Sequence, residues 1–156
     1  MDTGKDGRNI IANHLDLISS HCTHIFPDDT DLDCVLTAHT DANTWSDWAE
    51  IEDNTAETTI KLSEKFAALP GHVAGMITED ADTDSTIYQI EIGYGASKVC
   101  ISSWRLLSGT NQVTSTGQST ARGAHIPAGE TVYYRCKCKT AGSKTLNVHF
   151  RYFLDE

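Results

Sequence analysis

From about His72 to Phe153, apolar and polar positions alternate in short runs separated by turn residues, which is the period of a half-buried β-strand. The runs are His72–Thr78, Thr86–Gly93, Lys98–Leu107, Thr131–Lys139 and Thr145–Phe153, all rich in Val, Ile, Thr, Tyr, Phe and Cys. Such side chains fit a pleated surface with one face buried. Three rows fall on single faces and form the predicted core: Tyr88, Ile90 and Ile92; Val132, Tyr134, Cys136 and Cys138; and Leu146, Val148, Phe150 and Tyr152. The breaks carry turn chemistry, at 80–84, Gly93-Tyr94-Gly95-Ala96, Ser108-Gly109-Thr110-Asn111 and Ala141-Gly142-Ser143. In Ile126-Pro127-Ala128-Gly129-Glu130, proline pre-sets a backbone angle and glycine supplies an unusual one, so this segment is a turn feeding a strand.

Ahead of this region the pattern changes. Ile11, Leu15 and Ile18 recur at helical spacing, flanked by Ile10 and Leu17, and predict a helix at about 9–20, capped by Asn9 and ended by Ser19-Ser20. A helix of ~12 residues is marginal in isolation and needs a surface to pack on. An irregular acidic stretch follows, then a short strand at Cys34–Ala38. Thr44–Ile51 alternates and reads as a strand with Trp45 and Trp48 on opposite faces, one in the core and the other a contact residue. Thr58–Leu62 reads as a strand, Glu64–Leu69 as a short helix or loop, and Gln112–Arg122 as a long exposed loop or an edge strand. The expected architecture is mainly β: an antiparallel β-sandwich of jelly-roll type at 34–156, preceded by an N-terminal arm with a short helix at 1–33.

At 156 residues the chain is one domain with an extension, large enough to fold without a metal or disulfide. It lacks the roughly 18 consecutive apolar residues of a membrane span. Its first seven residues are polar, unlike a secretion signal, so the expectation is a cytosolic protein that leaves by lysis or assembly. Five cysteines, an odd number, then read as reduced and mostly buried thiols. Net charge is −10 and uneven: residues 1–84 carry 18 acidic and 4 basic side chains, residues 85–156 carry 4 and 8. The acidic half argues against general nucleic-acid binding, because phosphate repels it. The split fits a chain with one part facing solvent and another docking on an acidic neighbour.

Few constellations point to chemistry. Asp80, Asp82 and Asp84 stand at positions 1, 3 and 5 of a calcium-loop pattern with Glu91 at position 12. Position 6 is Ser85 instead of glycine, and the flanks are strands. A calcium site there is the alternative to an expected absence of cofactor. His21, Cys22, His24, Cys34 and His39 are close in sequence without paired zinc-ligand spacing, and Cys136, Cys138 and His149 are a weaker set. No nucleophile elbow, phosphate loop or dinucleotide fingerprint is present, and no pair of carboxylates is singled out for hydrolysis. The expectation is a protein that is not an enzyme. Trp45, Trp48, Tyr94 and Trp104, beside polar loops such as Ser115–Ser119, offer a sugar-stacking alternative.

TWSDWAEIEDN (44–54), KFAALPGHVAGMITEDADTDSTIYQIEIGYG (65–95) and IPAGETVYYRCKCKTAG (126–142), in this order, resemble the small β-sandwich proteins with which tailed bacteriophages decorate or cement their capsid shells. The resemblance implies a virion structural protein, assembled in the host cytoplasm and homo-oligomeric, with a trimer favoured. It binds the major capsid protein or another virion subunit, not nucleic acid or membrane. The arm would anchor through Ile10, Ile11, Leu15 and Ile18, and Trp45 and Trp48 would be further interface contacts, since Trp is enriched in binding hot spots. The alternative function is a carbohydrate-binding module on a virion tail or fibre, and a third is a calcium-stabilised assembly protein.

Overall fold

The computed structural model describes residues 23–109, 119–120 and 124–155. The predicted helix at 9–20 and its apolar residues lie outside them. Nine strands and one helical turn are described: β1 (His24–Phe26), β2 (Cys34–Thr37), β3 (Ala49–Glu50), α1 (Leu62–Lys65), β4 (Gly71–Ala81), β5 (Ile87–Tyr94), β6 (Val99–Leu107), β7 (Ser119–Thr120), β8 (Val132–Cys138) and β9 (Thr145–Leu154). All pairings are antiparallel. One sheet runs β1-β9-β4-β7, with β2 also on β9, and the other runs β3-β8-β5-β6.

The pairings nest. The first strands, β1 and β2, pair with the last, β9; β3 pairs with β8, β4 with β7 and β5 with β6. Each late strand therefore returns along an early one. The two long pairs β4–β9 and β5–β8 then knit these hairpin-like pairs into sheets. The strand β1 lies within the segment 1–33 expected as an arm, and it pairs in register with Phe150–Tyr152.

Alternation along the strands builds the interior. In β8, Val132, Tyr134, Cys136 and Cys138 are buried while the residues between them are half exposed. The three predicted rows are all buried, and they join Phe26, Leu36, Val73, Met76, Ile101 and Trp104 in one cluster drawn from both sheets. Burying a side chain of Val, Leu, Ile or Phe contributes roughly 1.5–3 kcal/mol, so these rows supply a large share of the driving force for folding. A bulge in β4 between Val73 and Gly75 explains why its inward positions change parity from Val73 to Met76 and Thr78. The Tyr134 hydroxyl ties the sheets: it accepts from the Thr37 amide at 3.2 Å and donates to the Val35 carbonyl at 3.4 Å.

Turn chemistry follows the residues. Gly129 has φ +79°, with the Glu130 amide bonded to the Pro127 carbonyl, as the Pro-Ala-Gly sequence predicts. Gly71 is required for a different reason. A Cβ there would collide with the Phe153 carbonyl oxygen on β9, and β4 passes that strand with no room for a side chain.

Three local expectations fail. Thr58–Leu62 is not a strand: the Asp53 carboxylate accepts the Thr55 and Ile60 amides at 3.2 and 3.0 Å and folds the segment back as a loop. The helical turn begins at Leu62, ahead of the expected Glu64, because Glu64 reaches back to the Lys61 amide at 3.3 Å and Leu62 is buried. Thr44–Ile51 is a strand only at Ala49–Glu50.

Cys34, Cys136 and Cys138 are buried free thiols, and Cys100 is an exposed one. Burial, then the neighbouring Cys138, pushes the Cys136 thiol up to about 12, and burial also raises Cys34, with help from Asp53, Asp33 and Glu52. These are unreactive packing residues, because the thiolate is the reactive form.

Candidate interaction surface

The outward face of the four-stranded sheet is built by the residues that alternate with its core rows. Register places Arg135, Glu91 and Ser103 in one row, and Lys137, Gln89 and Arg105 in the next. Arg135 donates from Nε and Nη2 to Glu91 Oε2 at 2.8 and 2.6 Å. Its guanidinium also lies 4.7 Å from the Trp45 ring centroid and 4.8 Å from that of Trp48. Lys137 Nζ stands 4.6 Å from the Trp45 ring, and Lys98 Nζ stands 3.1 Å from the Tyr133 ring.

Trp45 and Trp48 thus share one site, contrary to the alternation rule that put them on opposite faces. The reason is that residues 44–48 are not part of a regular strand. The Ser46 amide donates to the Cys136 carbonyl at 2.9 Å, and the Ser46 hydroxyl accepts the Cys136 amide at 3.0 Å. These two hydrogen bonds tie the segment to β8, and both indoles flank Arg135 and remain half-buried. Both sequence alternatives, one indole in the core and one in contact, are therefore replaced by two indoles on the surface.

The face is cationic. Lys98, Arg105, Lys137 and Lys139 have no carboxylate within ion-pair distance among the described residues, while Glu91 is taken by Arg135 and Glu50 by Lys61. Beside the Trp45–Arg135–Trp48 stack is a shallow depression of ≈ 320 Å³ lined by Asn43, Ile87, Gln89, Arg105, Lys137 and Lys139. Leu107 at its margin is 68% exposed. The arrangement offers aromatic faces, a guanidinium held by a carboxylate and ammonium groups together, a set suited to binding an acidic or polar partner.

The remaining sequence candidates are dispersed. Trp104 is buried in the core, and Tyr94 packs against that core from its edge, so neither joins the tryptophan pair. Ile10, Ile11, Leu15, Ile18, His21 and Cys22 lie outside the described residues. His24 stacks on Tyr152 with ring centroids 5.2 Å apart, Cys34 faces the core, and His39 Nδ1 accepts the Asp41 amide. Cys136 and Cys138 point into the interior from β8, whereas His149 faces two carboxylates beside β9. In the acidic turn, Asp80 accepts the Ala81 amide, Asp82 accepts the Tyr88 hydroxyl at 3.0 Å, and Ser85 adopts φ +55° at the position glycine would occupy. Among the described residues, the groups that converge as ligands are His72, His125 and Asp155, and Asp33, Glu79 and His149. Their members are scattered along the chain, so no local spacing marks either set.

Comparison of the chain with known protein families, with curated proteins and with solved structures finds no match.

Proposed function

We propose that this protein is a non-catalytic structural subunit that decorates or cements a phage capsid shell, docking an acidic surface of the shell on the outward face of its four-stranded sheet. The observation that carries the reading is the Trp45–Arg135–Trp48 stack beside cations that have no carboxylate within ion-pair distance among the described residues, in a chain whose net charge is −10. A cationic patch kept on an acidic protein fits an acidic partner. The nested pairing of first with last strands supports an antiparallel sandwich of jelly-roll type, a fold common in viral shells. Virion location, a homo-oligomer with a trimer favoured, and an N-terminal arm reaching neighbouring subunits follow from the resemblance in residues 44–142. Apolar area removed from water supplies roughly 25 cal/mol per Å², less the cost of association.

The test is co-sedimentation of the purified protein with capsid shells, stripped of it, from the phage that encodes it. Saturable binding that weakens as salt rises is expected, since exposed charges are screened beyond about 8 Å at physiological ionic strength. Absence of binding at micromolar protein contradicts the proposal.

A second reading, a carbohydrate-binding module, is favoured by one feature: two half-exposed indoles beside a depression lined by Asn43, Gln89 and Arg105. Selective retention on a glycan array, together with no affinity for shells, would establish it in place of the first.

A further inference from the structure

At the far side of the molecule from the tryptophan stack, on the five-stranded sheet, a buried histidine meets two carboxylates. His149 on β9 is 7% exposed, yet its Nδ1 has no hydrogen-bond partner among the described residues. Glu79 Oε1, from β4, lies 3.3 Å from that nitrogen, and Asp33 Oδ1, from the segment leading into β2, lies 3.8 Å from it. The Glu79 oxygen is thus near enough to share an ion with Nδ1 but outside the geometry that shares a proton. An unsatisfied buried nitrogen is costly, and each such group in a folded protein needs an explanation.

We propose that Asp33, Glu79 and His149 bind one divalent first-row transition cation of the zinc or manganese class. The donor set of one imidazole and two carboxylates suits such ions better than calcium, which takes oxygen ligands. Metal–ligand bonds of about 2.0–2.2 Å in a tetrahedral site separate ligand atoms by about 3.3 Å, and the observed 3.3 and 3.8 Å need only a small closure. The ligands are also oriented from behind. Asn147 Nδ2 donates to Asp33 Oδ2 at 3.1 Å, leaving Oδ1 directed at the histidine, and the Asp33 backbone is clamped by two hydrogen bonds to Asn54. Such outer partners fix the pose of a ligating carboxylate before the ion arrives.

Access and charge agree with this. Glu79 and His149 line an open depression of ≈ 650 Å³ whose walls also include Asp28 and Asp29. Asp28 and Asp29 on the wall of the depression add to the negative potential that Glu79 and Asp33 set up beside the nitrogen, a potential that draws in a cation. The bound ion would join β4, β9 and the 27–33 segment, fastening that segment to the central strands of its sheet. This site is independent of the docking face and stands or falls apart from it.

The experiment uses the full chain, cleared of metal with a chelator and titrated with zinc chloride by calorimetry, and with cobalt(II) followed by visible absorption. One equivalent bound at micromolar affinity or better is expected, with a rise in Tm of about 5–10 °C at hundred-fold excess over Kd. Glu79→Gln, at a half-exposed position that tolerates the change, weakens binding at least tenfold while leaving the metal-free Tm within about 2 °C. His125→Gln, in the separate His72–His125–Asp155 group, leaves binding at the first site unchanged. No binding below millimolar zinc, binding indifferent to Glu79→Gln, or binding lost with His125→Gln overturns the proposal.

Discussion

Replacing Phe150 with alanine is expected to destabilise the fold by about 3–5 kcal/mol, lowering Tm by roughly 10 °C. Phe150 is fully buried near the middle of β9, the strand that pairs with β1, β2 and β4. Its register partners are Phe26 on β1 and Met76 on β4, so the ring fills space that three strands enclose together. Deleting it removes transfer free energy and leaves a cavity, because backbone hydrogen bonds on both sides of β9 hold the walls apart. A domain of this size has about 5–15 kcal/mol of stability, so the variant sits near the unfolding threshold. Leu107→Ala is the contrast: at 68% exposure it should change stability by no more than about 0.5 kcal/mol. Urea titrations of both variants measure the difference directly, and similar midpoints for the two would mean that the inward rows are wrongly assigned.

The second large effect concerns binding. Trp45→Ala with Trp48→Ala is expected to weaken shell binding by at least about 30-fold, the loss of one hot spot worth about 2 kcal/mol or more. The same change removes two ring contacts to Arg135 and one to Lys137, each contributing about 0.5–1 kcal/mol, so the expected stability loss is about 1.5–3 kcal/mol. Both indoles sit on a segment held by the two Ser46–Cys136 hydrogen bonds, one of them through the Ser46 hydroxyl, which the substitution leaves in place. A domain with about 5–15 kcal/mol of stability stays folded after a loss of that size, so the fall in affinity is read on folded protein. A double variant that binds shells as tightly as the wild type removes this face from the account.

Much of the architecture was legible because the strands advertise themselves. Val132–Cys138 and Thr145–Leu154 fall within a residue of their predicted ends, since sustained alternation and flanking Gly and Pro mark them plainly. The inward rows were equally readable, as period two allows only one face for Tyr88, Ile90 and Ile92. What alternation cannot encode is a departure from extended backbone. Trp45 and Trp48 were placed on opposite faces because Thr44–Ile51 alternates, while the Ser46 hydroxyl capturing the Cys136 amide is a tertiary event with no local signature. Asp53 likewise overrides the strand-like Thr58–Leu62 by gathering amides from across a loop. The charge split was a useful signal, since five of the basic residues of the second half (Lys98, Arg105, Arg135, Lys137 and Lys139) are on or beside the candidate face. His149 stood out only in a weak set with Cys136 and Cys138, and Glu79 and Asp33 gave no signal, because only the β4–β9 register and the turn into β2 bring the three together.

The most direct measurement is hydrogen exchange of the protein free and bound to capsid shells. Slower exchange on binding is predicted for 43–50 and 132–139, the segments that carry Trp45, Trp48, Arg135 and Lys137, with β4 and β9 unchanged. Protection confined to β4 and β9, or no protection anywhere in the described strands, would contradict the claim that the four-stranded sheet's outer face is what the protein uses to hold its partner.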